Sequence, residues 1–363
     1  MDPIYNKLQE QLDQYSVGYP KTESGIEMKI LQRLFSIEHA RMYLDLTMLL
    51  EEPESVAKRN NRDIGETAIM LEDMAKKGLI FRLRRGDSVK YGAVPFVVGS
   101  YEFQLKYMDK ELAEMVEEYF AEGFLSIDNH KTLPMRTIPV NQAVDSSFSV
   151  SPHDDARKII KDQKKLAVAN CICRTQKAQI DEPCDKPLEV CFVFGSHADY
   201  FVENELARYI DEKEALELLD KAEAAGLVNQ PFNVINPGGM CNCCGCCCGV
   251  LRALKRHPRP REAVVSTCYA TVNQDFCTGC GTCIDRCQMD AVTITDDGVA
   301  KVEEMRCIGC GLCKTTCPVD AISLISLEGE NKKTPPGGIQ ELMMQIATER
   351  GTSLMPLKMA EKE

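Results

Sequence analysis

Two stretches of this chain align without a gap at an offset of 30 residues: CTGCGTCIDRCQMDAVTI from Cys277 and CIGCGLCKTTCPVDAISL from Cys307. Each carries a C-x2-C-x2-C-x3-C run, so Cys277, Cys280, Cys283 and Cys287 correspond to Cys307, Cys310, Cys313 and Cys317. The first three cysteines of each run fall in one tight loop, and the fourth departs in another direction. Gly279, Gly281, Gly309 and Gly311 lie inside the loops. Glycine accepts the positive φ such loops need and lets backbone N–H groups approach a metal-bound sulfur. The segment AVTITDDGVAKV between the runs reads as a hairpin turning at Asp297-Gly298.

The chain has 19 cysteines, none before Cys171 and none after Cys317. An odd count, tight spacings and a polar N-terminus without the apolar run of a signal peptide all oppose a disulfide framework. Zinc would favour separate pairs of ligands, whereas this double run suits a tetrahedral iron–sulfur cubane. Over about 60 residues the pattern resembles the two-cluster bacterial ferredoxin. That resemblance implies one [4Fe–4S] cluster on Cys277, Cys280, Cys283 and Cys317, and another on Cys307, Cys310, Cys313 and Cys287. Gln288 departs from it, standing where the motif has proline, while Pro318 keeps it.

A second cysteine field precedes this repeat. Cys171 and Cys173 form C-x-C, Cys184 and Cys191 follow, and Cys241, Cys243, Cys244, Cys246, Cys247 and Cys248 crowd into CNCCGCCC. Adjacent side chains of an extended segment point apart, so this stretch is expected to serve more than one metal centre, or one centre with spare thiols. One or two further iron–sulfur clusters are the expectation. Arg174 and Lys177 beside the C-x-C pair favour thiolate forms. Cys268 stands alone in STCYA and reads as a small buried apolar residue. His39, His130, His153, His197 and His257 show no ligand spacing; His197, near Cys191, is the one to test as a ligand.

The first 25 residues read as a loose lead-in helix, and apolar residues recur at helical spacing from Ile26 to Leu50. A short helix around residues 55–60, a capped helix from Asp63 and a hairpin through RRGD follow, which is the order of a winged helix. An amphipathic helix spans Asp109 to Ala121, and the Pro- and Ser-rich residues 131–152 read as a linker. The fold class is therefore α+β and multidomain. Its parts are a winged-helix-like domain (1–130), the linker (131–152), a cysteine-rich α/β domain (153–260), a ferredoxin-type 2[4Fe–4S] domain (261–327) and a tail with a short helix (328–363). Taken together this arrangement resembles iron–sulfur proteins of anaerobic bacteria that combine these three modules.

The net charge of −12 argues against broad nucleic-acid or anionic-membrane binding, and no segment approaches the length of a bilayer span. A cytoplasmic protein passing single electrons to a partner oxidoreductase or its subunits is the leading reading, with a homodimer kept open. Two others stand beside it: a redox-sensing DNA-binding regulator, and an enzyme with an unusual cluster in the middle domain. DNA is disfavoured because the candidate recognition helix carries Glu66, Glu72 and Asp73.

Overall fold

The computed structural model describes residues 2–122, 124, 131–144, 148–328 and 334–360. His130 and parts of the expected linker and tail lie outside the described residues.

The N-terminal layer is helical: α1 (Ile4–Asp13), α2 (Ile26–Leu34), α3 (Ile37–Tyr43), α4 (Pro53–Asn60) and α5 (Ile64–Lys76). The lead-in is not loose, because α1 buries Leu8 and Leu12, and Tyr15 and Tyr19 behind it are fully buried. The long apolar run of residues 26–50 breaks at Phe35, whose backbone is extended, and Ser36 restarts a helix by accepting the His39 N–H. Asp63 caps α5 as its spacing predicts, accepting the Glu66 N–H at 2.9 Å. Gly78 ends that segment at φ +71°. The hairpin β1 (Phe81–Arg85) and β2 (Ser88–Gly92) then leads by way of α6 (Lys110–Ala121) to residues 132–140.

Those residues were expected as linker from their composition, yet all of 132–140 are buried. Met135 and Ile138 bridge to Phe232 and Asn229, and the Val140 N–H donates to the Cys310 carbonyl at 2.9 Å. The Arg136 guanidinium is buried against Asp154 at 3.0 Å and donates to the Val234 carbonyl. Composition suggested exposure; pairing of the backbone groups allows burial.

The middle of the chain runs α7 (Ala156–Lys161), β3 (Leu166–Asn170), α8 (Ile172–Gln179), β4 (Glu189–Phe194), α9 (Gly195–Glu203), β5 (Ala207–Ile210), α10 (Glu212–Ala224), β6 (Val228–Pro231), β7 (Gly239–Cys243), α11 (Gly249–Arg256) and α12 (Pro260–Ala263). Its five strands form one antiparallel sheet in the order β5-β3-β4-β7-β6. Helix α10 covers one face through Ala215 and Leu219, and Asp211 caps it by accepting the Glu214 N–H.

The last part pairs β8 (Cys268–Val272) with β11 (Ile322–Ser326) and β9 (Val292–Ile294) with β10 (Ala300–Val302), with α13 (Thr282–Arg286) between. The β9–β10 turn lies at Asp297-Gly298 as expected, with Gly298 at φ +75°. Helix α14 (Ile339–Arg350) returns to the middle and N-terminal parts, burying Leu342 and Ile346 against Val234. Beyond it the chain is stitched to α1: Arg350 donates to the Ser16 carbonyl, Thr352 to the Gln14 carbonyl, and the Leu357 N–H to Gln11.

The parts are joined by specific contacts. Arg82 of β1 is buried and reaches Glu72 at 3.0 Å and Glu203 of α9 at 2.7 Å. The Tyr200 hydroxyl donates to the carbonyls of Ala75 and Ile80. Arg286 donates to the Glu223 and Ala224 carbonyls at the end of α10. No described helix is long and apolar enough to cross a membrane.

Candidate metal centres

The sulfurs of eighteen cysteines face four places in the structure. Cys277, Cys280, Cys283 and Cys317 line one pocket, and Cys287, Cys307, Cys310 and Cys313 line another. In each, the fourth cysteine comes from the opposite repeat. The two halves also repeat their hydrogen bonds. The Ala300 N–H donates to the Cys277 sulfur and the Ala270 N–H to Cys307. The Ala291 N–H donates to Cys287 and the Ala321 N–H to Cys317, all four bonds lying at 3.2–3.3 Å. Such donors stabilise negative charge on sulfur. A Cβ on Gly279 would lie 1.9 Å from the Gly298 carbonyl oxygen, and one on Gly309 would lie 2.2 Å from that of Cys268. Only glycine lets these loops close so tightly, and both sit at positive φ.

The second field divides in two. Cys184, Cys244, Cys246 and Cys247 bring four sulfurs within 4.8 Å of one another. Cys184 sits 3.6 Å from Cys246 and 3.9 Å from Cys244. Hydrogen bonding from Cys247, with Arg174 adding its charge, lowers the Cys244 thiol to about 4 although burial opposes this. The more open Cys246 is raised to about 11, chiefly by burial.

The other six, Cys171, Cys173, Cys191, Cys241, Cys243 and Cys248, line a single cavity of about 600 Å³. The sheet assembles them. Cys171 follows β3, Cys191 lies on β4, and Cys241 and Cys243 lie on β7, three neighbouring strands. Cys171 and Cys248 each occupy the position just before a helix, α8 and α11 respectively. Two helix N-termini therefore direct N–H groups and partial positive charge toward these sulfurs. Cys248 is lowered to about 5, by bonds from Cys173 and Cys243 first and the Leu251 N–H after them. Along β7 and the turn after it, Cys241 and Cys243 face the six-sulfur cavity and Cys244 faces the four-sulfur group. Arg174 is tied to the Pro187 and Asn242 carbonyls and is held between the groups, where the charges of Cys171, Cys244 and Cys243 overcome burial and raise its pKa.

Lys177, flagged with Arg174 by its position in sequence, instead pairs with Glu117 and Glu182. Cys268 is buried and donates to the Gly309 carbonyl, outside all four groups. His197 packs its ring on Phe81 at 4.8 Å and does not line the six-sulfur cavity.

Sequence reasoning missed three participants. Gln288, where the motif has proline, accepts the Gly245 N–H at 2.8 Å and so joins the ferredoxin-type repeat to the CNCCGCCC turn. Tyr101 and Glu102, more than sixty residues before the first cysteine, line the six-sulfur cavity. Burial, with charge at Cys241 and Cys171 adding, raises the Glu102 carboxyl to about 8 despite the Gly99 N–H it accepts. No periodic or spacing signal marks these residues; the notable substitution at Gln288 was the only clue.

The donor sets fit iron–sulfur clusters: sulfur donors converge on shared spaces, backbone N–H groups donate to the sulfurs of the ferredoxin-type repeat, and glycines stand where a side chain would block its loops. Residues 270–324 match the family described as a 4Fe-4S dicluster domain. A stretch of 35 residues is 54% identical to a probable ferredoxin of Methanosarcina thermophila, covering 10% of this chain and 60% of that protein. No solved structure matches the chain. Residues 270–324 are thus a 4Fe-4S dicluster ferredoxin-type domain, attached to a cysteine-rich middle region.

Proposed function

We propose that this chain is an iron–sulfur electron-transfer protein, or the electron-transfer subunit of an oxidoreductase complex, with four cluster sites in sequence. One [4Fe–4S] cluster would be held by Cys277, Cys280, Cys283 and Cys317, and a second by Cys287, Cys307, Cys310 and Cys313. Cys184, Cys244, Cys246 and Cys247 would hold a third, and four of the six thiols from Cys171 to Cys248 a fourth. Such clusters supply one-electron transfer with little rearrangement.

The observation that carries this reading is the adjacency of the four groups. Gln288 follows Cys287 of the buried ferredoxin site and bonds Gly245, between Cys244 and Cys246. Cys243 and Cys244, neighbours in sequence, face the two middle groups. The chain's own residues set the environment: N–H donors to sulfur, Arg174 between the middle groups, and burial broken only where Cys280 of the outermost site and Cys246 of the four-sulfur group are exposed. Phe276, 65% exposed, and Val319 lie beside that site and suit docking of a partner oxidoreductase.

The winged-helix-like part serves in this reading as scaffold. Its hairpin cations Arg82 and Arg84 are engaged by Glu72 and Glu203, and Arg59 and Arg62 by Glu51 and Asp45, so phosphate contacts by these four would have to break ion pairs. Iron and acid-labile sulfide on anaerobically purified protein test the proposal. About 16 of each per chain is expected for four cubanes, and Cys184→Ser should lower this to about 12. About 8 in the unaltered protein would refute the middle sites.

A further inference from the structure

Beside the six-sulfur cavity lies a larger chamber, enclosing about 1320 Å³ of space that is partly continuous with solvent. The two share Val98, Glu102, Cys191 and Cys241 as a common wall. The chamber is built by distant parts of the chain: β1, the loop after β2, the start of α9, β7 and helix α14.

Its chemistry is selective. Phe81, Phe103, Phe201 and Phe232 present aromatic surface to it, which favours a flat ring. The titratable groups at the wall are Glu102, His197, Cys191 and Cys241, and no lysine or arginine lines it. An anion would meet acidic groups without a counter-charge, and a cation would have to be stripped of water among phenyl rings. A neutral molecule is what remains. Polar donors stand among these rings. Ser196 and His197 lie in the first turn of α9, a nine-residue helix whose N-terminus has no side-chain cap. The His197 ring is fixed by Phe81 at 4.8 Å and by the bare backbone of Gly238, where a Cβ would lie 2.6 Å from Nδ1. Among the described residues its ring nitrogens have no hydrogen-bond partner. A placed, unpartnered imidazole beside the Ser196 hydroxyl suits a carbonyl oxygen, which accepts from both.

We propose that this chamber binds a neutral, planar, carbonyl-bearing molecule of the quinone or enone class, its ring among the phenylalanines and its carbonyl toward Ser196 and His197. Such a ligand rests against the wall carrying Cys191 and Cys241. The binding site stands on the cavity alone, while its nearness to a cluster rests on the function proposed above.

The probe is duroquinone, whose fully substituted ring resists thiol addition, with naphthalene as a carbonyl-free control. Both are titrated anaerobically into the oxidised full-length protein and followed by saturation-transfer NMR. Saturable duroquinone binding is expected. Ser196→Trp, which obstructs the approach to His197, should weaken it at least tenfold. His197→Phe, which keeps the ring shape, should weaken duroquinone severalfold and leave naphthalene unchanged. Absence of saturable binding, or unchanged binding in Ser196→Trp with native circular dichroism, overturns the site. Equal loss of both probes in His197→Phe overturns the carbonyl assignment. Binding that persists with iron near 8 per chain upholds the site and refutes the cluster beside it.

Discussion

Replacing Gln288 by alanine removes a single hydrogen bond, from the Gly245 N–H to Oε1 at 2.8 Å. A neutral bond of this kind contributes about 1 kcal/mol net, and leaving its donor on buried Gly245 orphaned brings the cost to about 1–2 kcal/mol. The loss falls on the local opening of the CNCCGCCC turn rather than on the whole fold. Hydrogen exchange of the peptide spanning Cys241 to Gly249 should therefore speed up by about 5–30-fold at the Gly245 amide, with the ferredoxin-type repeat unchanged. Gly245→Ala acts on the same contact from the other side. Its Cβ would lie 2.3 Å from the Gln288 carbonyl oxygen, so the turn must move off the repeat, at about 1–3 kcal/mol. Once it has moved, the Gln288 bond is already broken, and the double variant should lose less than the sum of the two. Additivity to within about 0.5 kcal/mol, or an exchange rate unaffected by Gln288→Ala, would refute the claim that this turn rests on Gln288.

Two further outcomes are expected. Burial holds His197 at about 4, below its ordinary 6.5. The unfolded chain therefore takes up a proton between pH 6.5 and 4 that the folded chain refuses, and stability falls as pH falls through that window. His197→Phe should lose about 2 kcal/mol less than the parent between pH 7 and pH 5, and equal denaturant-midpoint losses would contradict this. Gly279→Ala places a methyl 1.9 Å from the Gly298 carbonyl oxygen, whereas Gly281→Ala meets open space at a similar φ. The first should lose about four irons per chain and the second should keep them; full iron in Gly279→Ala would refute the tight closure.

How legible all this was depended on what each feature is made of. The ferredoxin-type repeat is written in covalent spacing, and its resemblance to two-cluster ferredoxins implied the grouping of Cys277 to Cys317 before any coordinates; the cap at Asp63 was equally local. The partition of the second field was not, because it arises from strand order. Only the β3-β4-β7 adjacency puts Cys171, Cys191 and Cys241 around one space, and only the turn after β7 sends Cys244 elsewhere. The alternation of neighbouring side chains pointed either to more than one centre or to one centre with spare thiols. Residues 132–140 misled because Pro134 and Pro139 signal a break in regular structure, which is a different thing from exposure. Glu102 and Tyr101 could not be found at all, since their role depends on packing against cysteines far along the chain.

The stitching of the two chain ends has a consequence for how the protein is made. Arg350, Thr352 and Leu357 bond to Ser16, Gln14 and Gln11, partners separated by 334, 338 and 346 residues. Domains emerging from the ribosome fold N-terminal end first, so α1 waits for these contacts until the segment after α14 has been made. The same C-terminal segment carries Ile339 and Met343, which wall the chamber. Both cysteine fields are thus synthesised before that wall, and the chamber stays open on this side until α14 docks.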